Sequence, residues 1–205
     1  MLDDRIVNFS NRSIESEKGN MSFIYTFIIF FIVSIAITRL SWPSLKSFRY
    51  HGFYRFFAFE AILILVLLNI NYWFDNPFNI FQILSWILLL ISAFMAVYGF
   101  ISLRKLGKPD RRRIDPSIIA VEKTTVLVIV GAYRYIRHPL YASLFYGVWG
   151  VFFKRPSGLG LALALFTIIF VTLTAKIEEI ENIGFFGEAY RNYMKQTKMF
   201  VPFLF

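Results

Sequence analysis

The sequence predicts an all-α integral membrane helical bundle with about five transmembrane helices, the last two forming a helical hairpin. Of its 205 residues 57% are hydrophobic, and the mean hydropathy of +0.57 is too high for a soluble domain. Charged residues make up 17% of the chain and are gathered into blocks between apolar runs. These runs are long enough to cross a hydrocarbon core of about 30 Å as helices.

Five apolar runs follow one another along the chain and predict the spans, at residues 21–38, 55–75, 78–103, 139–153 and 156–175. The cluster Asp75-Asn76-Pro77 is typical of a turn and predicts a hairpin of the second and third spans. The fourth run is short, since a helix of its length reaches only about 22 Å. Residues 1–20 are predicted to be a polar tail before a single domain at 21–205.

The distribution of lysine and arginine predicts the orientation in the membrane. Of the 22 basic residues, 17 lie in the segments 39–55, 103–138 and 176–205, which alternate with segments that carry only five. Because cytoplasmic loops are enriched in these residues, the N-terminus is expected outside and the C-terminus in the cytoplasm. Basic residues that anchor cytoplasmic loops also explain the net charge of +9. Nucleic acid is therefore not expected as a partner.

The absence of cysteine excludes disulfides, thiolate metal sites and cysteine nucleophiles. No metal site is predicted. Polar motifs instead concentrate in the segments expected at the cytoplasmic side. Pro139 suits the first position of a helix, so the fourth span is expected to start directly after His138. The hairpin that follows should return Glu178 and Glu179 to the level of Arg137 and His138.

Two of these segments resemble a known family. The sequence TTVLVIVGAYRYIRHPLY at 124–141, followed by a hydrophobic hairpin and by EEIENIGFFGEAYRNYM at 178–194, resembles the C-terminal half of the isoprenylcysteine carboxyl methyltransferase and phospholipid methyltransferase family of membrane enzymes. The resemblance covers roughly residues 123–202. It implies a methyltransferase that uses S-adenosyl-L-methionine as methyl donor, with its cofactor-binding half at about 104–205.

The resemblance also implies which residues bind the cofactor, namely Thr125, Val126, Leu127, Val128, Tyr133, His138, Pro139, Leu140, Tyr141 and Glu178. A basic group can hold a carboxylate, Glu178 can accept hydrogen bonds from an ammonium or a ribose, and tyrosine rings can meet adenine or the sulfonium. We assign catalytic roles to Arg137, for the charge of acceptor or cofactor, and to Glu179, which with His138 can accept a proton from an amine or hydroxyl.

The family has an arginine four residues before the first glutamate, and here that position is Thr174. Threonine cannot pair with a carboxylate as arginine does. A prenylcysteine carboxylate as acceptor therefore requires Lys176 or Arg137 as a substitute, and a lipid amine, a small thiol or another amphiphile is an equal expectation. Membrane lipids are the expected surroundings, and the oligomeric state stays open. The alternatives are a nicotinamide-dependent membrane reductase and a non-catalytic accessory protein.

Three further features have simpler interpretations. Glu60 lies within a span and is expected to face the bundle interior, with no partner named by the sequence. Tyr190, Tyr193 and residues 200–205 are interpreted as an aromatic belt at the membrane interface. The basic residues between 104 and 113 are interpreted as a loop that anchors the chain to anionic lipid.

Overall fold

A computed structural model of the protein describes residues 2–108 and 124–204. In these residues the chain forms six α-helices: α1 (Leu2–Leu45), α2 (His51–Asn69), α3 (Ile80–Leu106), α4 (Pro139–Phe152), α5 (Gly158–Phe186) and α6 (Glu188–Gln196). Two short 3-10 helices, Ile70–Tyr72 and Gly131–Arg134, interrupt the connections. The predicted all-α bundle is confirmed. Of the predicted anchoring loop, Arg111 to Arg113 lie outside the described residues.

Four helical segments are long and apolar enough to cross a membrane: Ile24–Leu45, His51–Tyr72, Ile80–Leu106 and Gly158–Phe186. The first belongs to a single helix that begins at Leu2, so the predicted polar tail continues directly into the span. The fourth predicted span, α4, has 14 residues and therefore reaches only about 21 Å. It is an integral part of the bundle but is too short to cross a core of about 30 Å alone.

The distribution of polar and apolar side chains on α3 is the reverse of that on a helix in water. Its buried residues are Gln82, Ser85, Gly99 and Ser102, whereas its exposed residues include many large apolar ones. A surface of this kind is stable only where hydrocarbon replaces water as the solvent. The structure thus supports an integral membrane protein independently of segment length.

Local sequence explains where the helices begin and end. Asn79 caps α3 by accepting a hydrogen bond from the amide of Phe81 at 2.9 Å, and Ser157 caps α5 through the amide of Gly160 at 3.1 Å. Pro139 occupies the first turn of α4, as predicted. Helix α5 ends at Gly187, whose φ of +61° suits a residue without a side chain.

The packing order of the helices differs in part from the prediction. The predicted turn exists, since the amide of Asn79 donates to the carbonyl of Asn76 at 2.9 Å. The helices that it joins, α2 and α3, nevertheless barely touch, because α4 packs on α3 and α5 packs on α2. The hairpin predicted for the second and third spans is therefore wrong as a packed unit. The hairpin of α4 and α5 is confirmed.

Glycines on α4 explain why this helix packs so closely on α3. A Cβ atom at Gly150 would lie 2.8 Å from Cγ of Leu89, and one at Gly147 would lie 2.9 Å from Oγ of Ser92. The Ser92 hydroxyl also donates to the carbonyl of Ser143 at 2.7 Å. Small residues and hydrogen bonds between helices are the usual means of association in lipid, where burial of apolar surface supplies little.

A polar contact joins α1 to α2 within the apolar region. The hydroxyl of Ser34 donates to Oε1 of Glu60 at 3.0 Å, and Glu60 is half-buried. The sequence predicts that Glu60 faces the bundle interior but does not identify its partner. The structure supplies that partner from the neighbouring helix.

Lys154 fastens the turn between α4 and α5 to the turn between α2 and α3. Its side chain is 5% exposed, and Nζ donates to the carbonyl of Trp73 at 3.1 Å and to Oε1 of Gln82 at 3.0 Å. The ammonium also lies 3.6 Å from the ring centre of Trp86. Burial lowers the pKa of Lys154 from its ordinary value.

We expect Gly150→Ala to weaken the packing of α3 on α4. The added methyl group meets both Cγ of Leu89 and, at 3.2 Å, its backbone nitrogen, so the helices have to move apart. The expected loss is about 1–3 kcal/mol of unfolding free energy. The matched control is Gly184→Ala, which meets no atom within 4 Å and should be neutral or stabilise α5 by up to about 1 kcal/mol. Denaturant titration in detergent micelles measures both, and equal stability of the two variants would contradict the packing argument.

Candidate functional site

The candidate site is at the end of the bundle where α4 begins and α5 ends. The segment before α4 is held there by the C-terminal part of the chain. The amide of Arg137 donates to the carbonyl of Lys198 at 2.7 Å, and the amide of Lys198 donates to the carbonyl of Tyr135 at 3.0 Å. The amide of His138 donates to the carbonyl of Met199 at 3.3 Å. This pairing brings the tail back beside the motif that precedes α4.

The Arg137 side chain is the centre of a hydrogen-bond network. Its Nε donates to Oε1 of Glu179 at 2.7 Å, and one terminal nitrogen donates to the carbonyls of Met194, at 3.3 Å, and Thr197. The same Glu179 oxygen lies 3.3 Å from Nε2 of His138. A single carboxylate therefore positions both the arginine and the histidine.

A cavity of about 60 Å³ opens beside this network. Its walls come from α3, from the segment before α4, and from α4, α5 and α6. The lining residues are Leu103, Thr124, Leu127, Val128, Tyr133, Arg137, His138, Leu140, Tyr141, Glu178, Asn182, Phe186, Tyr190 and Tyr193.

Most of the predicted site residues meet at this cavity. Eight of them line it: Leu127, Val128, Tyr133, Arg137, His138, Leu140, Tyr141 and Glu178. Four others do not. Thr125 and Val126 are exposed, and the Thr125 hydroxyl donates to the carbonyl of Lys108 at 3.0 Å. Pro139 is buried at the start of α4, and Glu179 lies behind the wall, where it holds Arg137 and His138.

Glu178 carries the negative charge of the cavity and faces several partners. His138, His51 and Arg55 act on its carboxylate electrostatically, and the hydroxyl of Tyr141 lies beside it. No sequence motif links α2 with this site. The link arises because His51, at the start of α2, approaches the same part of α5, with Nδ1 2.6 Å from Oε2 of Glu181.

Two tyrosines of α6 belong to the cavity and were misinterpreted from sequence. Tyr190 is 3% exposed and Tyr193 is 7% exposed, so neither belongs to an interfacial belt. The Tyr193 hydroxyl donates to the carbonyl of Tyr133 at 2.6 Å. Burial raises the pKa of both phenols, and for Tyr190 the charges of Glu178 and Glu179 raise the pKa further. Both phenols therefore remain neutral, and Tyr193 uses its hydroxyl hydrogen in the bond to Tyr133.

Phe200 is also misassigned to the belt, because it is fully buried against the core that includes Ile136 and Tyr141. The available signal was the spacing of Tyr190 and Tyr193, three residues apart on an otherwise polar helix, which directs both rings to one face. An interfacial belt needs no such pattern.

Neither of the two residues expected to substitute for the arginine of the resembled family offers a free cation at this site. Thr174 is buried and its hydroxyl donates to the carbonyl of Phe170 at 2.7 Å. Lys176 is exposed and is not part of the cavity lining. Arg137 does line the cavity, but its guanidinium is committed to Glu179 and to backbone carbonyls.

Fold and site together define a helical integral membrane protein with a polar and aromatic cavity at one end of its bundle. No protein-family profile matches the chain. Its distant homologues are named as methyltransferases, consistent with the isoprenylcysteine carboxyl methyltransferase-like family that the motifs resemble.

Three relatives carry this conclusion. The chain is 33% identical over 72 residues to a methanethiol S-methyltransferase of Crocosphaera subtropica and 32% identical over 72 residues to one of Pseudomonas deceptionensis. It is 29% identical over 85 residues to the protein-S-isoprenylcysteine O-methyltransferase of Schizosaccharomyces pombe. The matches cover 35%, 35% and 40% of this chain, and only 28%, 27% and 35% of the respective relatives.

We expect Arg137→Gln to destabilise the fold. The substitution leaves the carboxylate of Glu179, 9% exposed, without its guanidinium partner and removes donors from two carbonyls. Loss of one member of a buried pair costs about 3 kcal/mol. The control is Arg191→Gln, because Arg191 is 61% exposed and only 3.7 Å from an exposed Glu188; its cost should stay below about 0.5 kcal/mol. Thermal unfolding in detergent compares them, and similar losses in both variants would refute the structural role of Arg137.

Proposed function

We propose that the protein is an S-adenosylmethionine-dependent methyltransferase that acts on an amphiphilic or lipid-like acceptor. The observation that carries the proposal is the convergence of Tyr133, His138, Tyr141 and Glu178 on one cavity. These residues come from two distant segments whose motifs resemble membrane methyltransferases. The methyltransferase names of the three relatives support the reaction class.

The chemistry of the cavity suits this cofactor. S-adenosylmethionine is a sulfonium cation with an adenine ring, ribose hydroxyls and an amino-acid end. Glu178 offers a carboxylate to a hydroxyl or a cation, and Asn182 adds a side-chain amide. The rings of Tyr133, Tyr141 and Tyr190 offer faces that attract both aromatic bases and cations.

The residues of the site have positioning roles above all. When bound, the cofactor supplies an electrophilic methyl group. The protein has to align an acceptor with that group and exclude water, and proximity alone can supply much of the rate. His138, held by Glu179, is the group at the cavity that can accept a proton from an amine or thiol. Glu179 is then a positioning residue, which revises its role as a base.

The surroundings of the cavity support the proposed acceptor class. Leu103 of α3 and Leu140 of α4 form part of its wall, and α3 presents exposed apolar side chains on its other faces. An acceptor with an apolar part can therefore approach between helices from the lipid. The relatives are named for methanethiol and for isoprenylcysteine. Of these two acceptor types a thiol fits the cavity better, because neither the exposed Lys176 nor the bonded Arg137 supplies a free cation for a carboxylate.

Binding of S-adenosylmethionine to detergent-purified protein tests the proposal directly. We expect calorimetry to detect binding by the parent and a loss of affinity of at least about tenfold for Glu178→Ala, because a charged hydrogen-bond partner is removed. His138→Ala should weaken binding as well. The matched control is Glu188→Ala, whose carboxylate is 70% exposed on α6 and should have no effect.

Two outcomes would refute the assignment. If folded parent protein does not bind S-adenosylmethionine, the methyltransferase proposal fails, and binding of NADPH in its place would favour the reductase. If Glu178→Ala and His138→Ala bind as the parent does, the reaction class can stand but the site is elsewhere.

We further propose that the N-terminus faces outward and that the site faces the cytoplasm, on the basis of the lysine and arginine distribution. Because the chain lacks cysteine, single cysteines report orientation without background. We expect Asp75→Cys to react with a membrane-impermeant maleimide on intact cells, and Lys195→Cys to react only after permeabilisation; both positions are exposed. The opposite labelling pattern would reverse the orientation.

A further inference from the structure

The cavity is too small for the proposed cofactor as it stands. Its volume is about 60 Å³, whereas sites for ligands of this size usually measure about 300–1,000 Å³. Part of the cofactor must therefore occupy adjoining space.

A second cavity of about 540 Å³ lies next to the first. Leu127 and Tyr193 line both and form the partition between them. We call this second space the groove; its other lining residues are Ile129, Val130, Arg134, Ala189, Asn192, Gln196 and Thr197. Leu127 lies in a segment without regular secondary structure. Movement of this residue would join the two spaces.

Among the described residues that line the first cavity, none offers an uncommitted arginine or lysine for a carboxylate. Arg137 donates to Glu179 and to the carbonyls of Met194 and Thr197, which holds the C-terminal segment in place. Redirecting it to a ligand would break these contacts and leave Glu179 without its partner.

Arg134 is placed differently. It is the last residue of the 3-10 helix Gly131–Arg134, directly after Tyr133. Tyr133 lines the cavity and Arg134 lines the groove, so two residues adjacent in sequence contribute to the walls of the two spaces. Arg134 is exposed, lies 6.0 Å from the ring centre of Tyr135, and makes no hydrogen bond or ion pair with the residues that the structure describes.

We propose that Arg134 binds the carboxylate of the cofactor's amino-acid end in the groove, while the adenosine end occupies the cavity beside Glu178. The side-chain amides of Asn192 and Gln196 line the same groove and offer oxygens to the ammonium group. A guanidinium suits this task because it pairs with a carboxylate through two parallel hydrogen bonds. The inference rests on the proposed function and adds to it the residue that recognises the amino-acid end.

The test compares two unreactive probes by calorimetry. S-adenosylhomocysteine carries the whole amino-acid end with its carboxylate, and 5′-methylthioadenosine is the corresponding thioether nucleoside with a methyl group in place of that end. We expect Arg134→Gln to weaken binding of S-adenosylhomocysteine by about tenfold to a hundredfold, as for the loss of a charged hydrogen bond, and to leave binding of methylthioadenosine unchanged. Arg134→Lys should recover part of the loss, and Arg191→Gln, an exposed arginine of α6, should bind both probes like the parent.

The outcomes separate this inference from the proposed function. Unchanged binding of S-adenosylhomocysteine by Arg134→Gln would overturn the role of Arg134 while leaving the methyltransferase proposal intact. An equal loss for both probes would also overturn it, since the effect would then not depend on the carboxylate. Failure of the folded parent to bind either probe would instead remove the proposed function itself.

Discussion

The guanidinium of Arg137 is the contact on which the arrangement of the site depends. It joins the segment before α4 to α5, through Glu179, and to the carbonyls of Met194 and Thr197 at the C-terminal end of α6. Helix α6 otherwise packs mainly on α5, so this network and the backbone pairing of residues 135–138 with 198–199 hold it against the bundle. The wall formed by Tyr190 and Tyr193 then follows from the placement of that helix.

The fold was predictable as far as solvent and local chemistry determine it. Apolar runs, Pro139 at a helix start and the capping residues Asn79 and Ser157 all act over a few residues. The packing order was not predictable in the same way, because it depends on how Gly147 and Gly150 of α4 fit the surface of α3. That fit joins residues some 55 to 60 positions apart, and no periodicity of either helix reveals it.

The candidate site also has features that the sequence predicts and features that depend on contacts between distant segments. The residues near Tyr133, His138 and Glu178 were found because they form spaced motifs, and the hairpin brings those motifs together. The separate roles of these residues were not predictable, since Arg137 bonds both to Glu179 and to carbonyls near the C-terminus, which are far from it in sequence. For Tyr190 and Tyr193, the membrane setting itself misled the interpretation, because aromatic residues near a membrane surface are usually interfacial.

The short length of α4 affects how deep in the membrane its first residues lie. At its far end, Lys154 is bonded beside Trp73 and Trp86, ring systems that favour the boundary between lipid and water. Fourteen residues from there reach about 21 Å of a core of about 30 Å, and any tilt reduces that reach. With Lys154 at one boundary of the core, the start of α4 and His138 would lie roughly 9 Å short of the other boundary. Under the proposed function, an amphiphile held in that leaflet would reach the site sideways, without first desorbing into water.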